Sequence, residues 1–118
     1  MERYKDNLII NMTLSYAVAV VEYSESLVEK RKYVIADQLL RSGCGIGANV
    51  REAQNAESKA DFIHTMKVAA KEADEHEFWL TVCKQAKNYP FDEKLEDQLT
   101  VIVKVLNKII GTSKRGNR

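Results

Sequence analysis

The sequence predicts an all-α fold: an antiparallel up-and-down four-helix bundle, one domain over residues 1–118. Three observations predict it. Apolar residues recur at spacings of three and four along four long segments, the period of a helix with one buried face. Five glycines and one proline are too few for a turn-rich β fold. Cap and stop signals fall between the segments. The composition, 45% hydrophobic and 30% charged, is that of a chain with a core rather than a disordered one.

The first helix is expected from about Lys5 to Glu29. Ile9, Met12, Tyr16, Ala19, Tyr23 and Leu27 form one apolar stripe. Ile10, Leu14, Ala17, Val21 and Val28 form a second. A helix in an isolated bundle needs one apolar face. The second stripe therefore reads either as part of one wide buried face or as surface covered by a neighbouring copy. The charge run Glu29-Lys30-Arg31-Lys32 is the expected turn, although no Gly or Pro marks it.

The second helix is expected from about Tyr33 to Ala53, with Ile35, Leu39, Ile46, Val50 and Ala53 inward. Within it lies Ser42-Gly43-Cys44-Gly45-Ile46-Gly47-Ala48-Asn49. This is not a phosphate loop, because neither GxxxxGK[ST] nor GxGxxG is present and no strand precedes it. It reads as a helix closely crossed by its neighbours, with a local break as the alternative. Gly43 and Gly47 share a face, and Gly45 points nearly opposite.

Ser58 and Asp61 mark the start of the third helix as an acidic variant of the capping box, with Asp61 returning a bond to the cap's own N–H. Phe62, Met66, Ala69, Ala73, His76, Leu80 and Cys83 then form a heptad seam. Asn88-Tyr89-Pro90 ends it. Asp92 and Glu93 open the fourth helix, where the helix dipole favours anions. Its seam is Leu95, Leu99, Ile102, Leu106 and Ile109. The basic stretch from about 113 to 118 is expected to be disordered.

Several function classes are disfavoured. A net charge of +1 lacks the basic excess of a dedicated nucleic-acid binder. Cys44 and Cys83 have neither CxxC nor Cys/His spacing, so they read as reduced, buried small hydrophobes. The N-terminus lacks the apolar stretch of a signal peptide, and no apolar run can span a bilayer. A cytoplasmic protein without membrane attachment, cofactor or evident small-molecule substrate is expected.

Glu72, Glu75 and Trp79 share a face of the third helix with Val68 and Val82. If that face points inward, its carboxylates need partners. Arg41, in bidentate geometry, and Asn49 are the candidates. A di-iron site needs two Glu-x-x-His pairs, and neither His64 nor His76 follows a Glu by three. A metal- or carboxylate-dependent enzyme built on Glu72, Glu75 and His76 is the weakest reading, against His76 as a hydrogen-bonded core residue. The basic residues divide between two bundle ends. Lys30, Arg31, Lys32, Lys84 and Lys87 lie at one; Arg3, Lys5, Lys114, Arg115 and Arg118 lie at the other. They are solubility charges on one subunit and a multivalent surface if repeated around a ring. Aromatics interleaved for base stacking are not evident in the sequence.

Two blocks resemble the 23S rRNA-intervening-sequence proteins, a four-helix bundle family. One runs from Gln38-Leu39-Leu40-Arg41-Ser42 through Ile46-Gly47-Ala48-Asn49-Val50-Arg51-Glu52-Ala53. The other comprises Ser58, Asp61-Phe62, Ala69-Ala70-Lys71-Glu72-Ala73, Glu75, Trp79 and Leu80. Gly45 stands where the family often has serine, and His76 where it often has a small polar residue. The family is similar to the accessory protein of diversity-generating retroelements, a pentameric ring that works with a reverse transcriptase on nucleic acid. The resemblance thus implies a non-enzymatic homo-oligomer, a pentamer, that acts as a scaffold or adapter. An RNA- or DNA-associated accessory protein is the alternative. Arg41, Asn49, Glu52, Lys71, Glu72 and Glu75 match the family's polar positions and are expected to form a structural network at helix and subunit contacts.

Overall fold

The structure, a computed structural model, describes residues 2–116. After a short 3-10 turn at Glu2–Tyr4 come four helices: α1 (Leu8–Glu29), α2 (Tyr33–Ala53), α3 (Lys59–Gln85) and α4 (Glu93–Lys114). No strand occurs among the described residues. Helices adjacent in the chain pack together, and α4 closes back on α1. Partners across α1 and α2 run in opposite numerical order: Asn7 bonds Gln54, Thr13 lies against Gly47, and Val20 lies against Gly43. That order is the one expected of neighbouring rods that run up and down.

Each boundary has a local cause. α1 begins three residues later than expected because Asn7 is its cap, accepting from the Ile10 N–H at 3.2 Å. Its end carries no glycine, yet it is a complete Schellman turn. Arg31 takes the left-handed region at φ 64, where glycine is usual. The Arg31 N–H donates to the Val28 carbonyl, and the Lys32 N–H donates to that of Leu27, both at 2.9 Å. Ser58 caps α3 by accepting from the Asp61 N–H at 3.0 Å. The return bond differs from expectation: Asp61 accepts from the Glu57 N–H, one residue before the cap. Asp92 caps α4 by accepting from the Lys94 N–H. α4 also takes in Ser113 and Lys114, the first two residues of the stretch expected to be disordered. Arg118 lies outside the described residues.

The core follows the predicted seams with one shift. Ile35, Leu39, Ile46, Val50 and Ala53 are buried on α2, and the α3 seam is buried from Met66 to Cys83, with Phe62 partly so. On α4 the last buried position is Ile110 rather than Ile109, which is only partly buried. A helix of 3.6 residues per turn drifts off a strict heptad, so a second step of four replaces one of three.

The glycine stretch is continuous helix. A Cβ on Gly43 would sit 2.7 Å from His76 Cε1 and 2.9 Å from a Val20 methyl. This position is therefore pinched between α3 and α1. Gly47 faces Thr13 on α1, while Gly45 faces the Glu72 side chain on α3.

Candidate functional site

His76 crosses the core between three helices and is fully buried. Its Nδ1 lies 2.9 Å from Ser42 Oγ on α2, and its Nε2 lies 2.8 Å from the Tyr16 hydroxyl on α1. The Ser42 hydroxyl donates to the Gln38 carbonyl at 2.7 Å, so it accepts from Nδ1–H, and Tyr16 donates to Nε2. This assignment satisfies every member with a neutral imidazole. Burial depresses the His76 pKa to about 4 and pushes that of Tyr16 upward. Both ring nitrogens are thus committed to the core, as a hydrogen-bonded core histidine requires.

The carboxylates expected beside His76 point elsewhere. Arg41 reaches across from α2, and its two terminal nitrogens separate. One hydrogen-bonds Glu75, and the other lies 3.6 Å from Glu72 Oε1. This is a fork across two carboxylates rather than a bidentate grip on one. It lies at the surface, with the Arg41 side chain 53% exposed. Trp79 Nε1–H also donates to Glu75, at 3.3 Å. The Trp79 bond and then Arg41 hold the Glu75 carboxyl below its usual range. Glu72 Oε1 is shielded and accepts no hydrogen bond.

The remaining members of the expected network stay apart. Asn49 donates to the Gly45 carbonyl within its own helix, at 2.8 Å. Glu52 and Lys71 are exposed and form no side-chain hydrogen bond or ion pair among the described residues. Glu72, Glu75 and His76 therefore do not converge. No group of three or more His, Cys, Asp or Glu among the described residues is placed to hold a metal ion. A groove of ≈ 440 Å³ between α1 and α4, lined by Asn11, Met12, Ser15, Gln98, Val101 and Ile102, carries no titratable side chain.

An apolar row runs along the outer face of α1, interrupted by exposed Glu25. Leu14, Val18, Val21 and Val28 are 45, 51, 40 and 45% exposed and lie at heptad spacing. Val18 was no member of the expected second stripe, whereas Ile10, which was, belongs to the core. Beside the row, Leu14 and Ala17 face Cys44, Gly47 and Ala48 across a groove of ≈ 200 Å³. Leu40 is exposed on the same two helices.

The basic residues separate by engagement. Lys84 is paired with Glu96 at 2.9 Å. Lys30, Arg31 and Lys87 are exposed without a side-chain hydrogen bond or ion pair among the described residues. Lys32 Nζ lies 4.8 Å above the Tyr89 ring. At the other end Arg3 and Arg51 lie 4.8 and 4.9 Å from the Tyr4 ring, and Arg115 bonds Thr112. Lys114 is exposed.

The molecule is thus a helical-bundle protein in which buried His76, Tyr16 and Ser42 brace three helices. The model of the 23S rRNA-intervening sequence proteins matches residues 5–110, and the chain belongs to that family. It is similar to a protein of unknown function from the S23 ribosomal protein family of Bacteroides thetaiotaomicron, known from a crystal structure. The two share 39% identity over 86% of this chain and 97% of that one, with a TM-score of 0.82. No curated protein matches the chain. No helix among the described residues is long and apolar enough to cross a membrane.

Proposed function

We propose that the protein is a non-enzymatic, cytoplasmic homo-oligomeric scaffold or adapter, with five copies in a ring. One observation carries this reading: the row Leu14, Val18, Val21 and Val28, exposed beside Leu40 on a single subunit. Moving such a side chain from water to a packed interface is worth about 1.5–3 kcal/mol when complete, so several together supply a substantial drive to associate. A net charge of +1 leaves little repulsion between copies. Ring closure needs two different surfaces, and exposed Tyr33 and Val34 at the start of α2 offer a second apolar one. The number five rests on the resemblance to the retroelement accessory protein. Light scattering at micromolar concentration tests it: five copies of 13.4 kDa give about 67 kDa. A particle of 13.4 kDa contradicts the proposal.

A second reading, an RNA- or DNA-associated accessory protein, is favoured by the free cations Lys30, Arg31 and Lys87 at one bundle end. It predicts retention on immobilised RNA that falls steeply with salt and weakens when Lys30, Arg31 and Lys32 become alanine. Unchanged retention removes those residues from the interface.

A further inference from the structure

We propose that the pocket between the α1–α2 and α3–α4 connections binds single-stranded nucleic acid, with one base stacked on Tyr89 and the flanking phosphates held by Lys30 and Lys32. The proposal rests on the nucleic-acid reading and adds to it a place and a mode of contact.

The pocket is open, has a volume of ≈ 450 Å³ and is lined by Lys30, Lys32, Asn88, Tyr89 and Pro90. A nucleotide within a single strand offers a flat π face and an anion, the two chemistries this lining complements. Tyr89 is partly buried, packed against the core, so the protein fixes its ring before any ligand arrives. The ring is in contact with the Lys32 ammonium. The Tyr89 ring is the only partner of the Lys32 side chain among the described residues, and the long lysine stem lets the ammonium move to a phosphate while a base takes its place. Asn88 adds an amide able both to donate to and to accept from a base edge.

Charge at this end favours an anion. Among the described residues, Lys30, Arg31, Lys32 and Lys87 form no ion pair, whereas Lys84 is neutralised by Glu96. Of the nearby acids, Asp92 is tied to the Lys94 N–H as a cap. Glu29 and Glu93 are exposed at the adjoining helix ends. At the opposite end the arginines near Tyr4 are two, Arg3 and Arg51, so that ring is contacted by both. The stacking aromatic that the sequence left unseen is thus brought to the lysines by the fold. Tyr89 is 57 residues from Lys32 in the chain, yet 4.8 Å from it in space.

The test is fluorescence anisotropy with a labelled short oligouridylate at low salt, using the full chain. Tyr89→Leu is expected to weaken binding about tenfold, and Tyr89→Phe to leave it unchanged, since phenylalanine keeps the π face. Lys30→Gln with Lys32→Gln, which leaves core packing untouched, is expected to lower the slope of log affinity against log salt by about 1–2. Lys104→Gln with Lys108→Gln on α4 serves as the control and is expected to change neither. A blunt duplex should not displace the probe. Wild-type protein that does not bind the probe overturns both this site and the nucleic-acid reading. Wild-type binding that survives Tyr89→Leu, falls equally in the α4 control, or is displaced by duplex overturns this site alone.

Discussion

The two halves of the bundle solve the same burial problem and differ in what they leave outside. Among the described residues, α1 and α2 carry eight of the ten large hydrophobic side chains that stay exposed; α3 and α4 carry Phe78 and Val101. The outer groove between α3 and α4 mixes Glu77, Thr81, Glu96, Thr100 and Lys104 with Leu80, Leu99 and Val103. Scattered surface hydrophobes need no explanation, but a heptad-spaced row does. The heptad-spaced row lies on α1, and this difference locates the proposed contact between copies.

The largest effect should come from charging that row. Leu14→Glu with Val21→Glu is expected to reduce the assembly to single subunits of 13.4 kDa with helical circular dichroism retained. Phe78→Glu with Val101→Glu should reduce the mass less or not at all. Equal loss in both variants would erase the distinction between the halves.

Acid should weaken what ties α1 and α2 to α3. Burial holds folded His76 down at about 4 against the ordinary imidazole value of 6.5, so the unfolded chain takes up the proton first. The stabilisation is fully present above about pH 6.5 and is lost as pH falls from there towards 4. Urea titrations at neutral pH and at pH near 4.5 should differ by about 2–3 kcal/mol from this group. His76→Asn should remove most of that difference; a wild-type stability flat across the range would contradict the buried neutral imidazole.

The glycines sharpen the picture at the level of single methyl groups. Gly43→Ala meets the His76 ring and a Val20 methyl at under 3 Å, both in the core, and should cost about 1–3 kcal/mol despite alanine's better helix propensity. Gly45→Ala meets only the Glu72 side chain, at 3.1 Å, whose end can swing aside. It should be neutral or stabilise by up to about 1 kcal/mol. Denaturation midpoints of the two variants separate the pinched position from the open one. A gain of similar size, about 1 kcal/mol, is expected of Arg31→Gly from relief of a left-handed backbone at the α1–α2 turn, read in the same way.

Periodicity made much of this legible. The α2 bounds and the seams of α2 and α3 follow from apolar spacing, because helix burial repeats in sequence as it does in space. The α1–α2 turn falls at the expected charge run, although Arg31 occupies a position where glycine would have been the stronger signal. The polar network was legible in part. Arg41, Glu72 and Glu75 meet within one subunit, whereas Asn49, Glu52 and Lys71 stay apart there, because spacing says nothing of which way a long side chain leans. Tyr16 and Ser42 were missed as the partners of His76. Each carries a hydroxyl on or beside a buried stripe, and that need for a partner was the available clue. Tyr89 beside Lys32 depends on two connections meeting, which no local pattern records.

Hydroxyl-radical footprinting of the native protein tests the proposed α1–α2 contact surface most directly. Leu14 and Leu40 are 45 and 37% exposed on one subunit, and Phe78 is 58% exposed. Strong protection of Leu14 and Leu40 relative to these exposures, lost in the Leu14→Glu/Val21→Glu variant at Leu40, is the predicted result. Oxidation of Leu14 and Leu40 at the rate their single-subunit exposure dictates would contradict it.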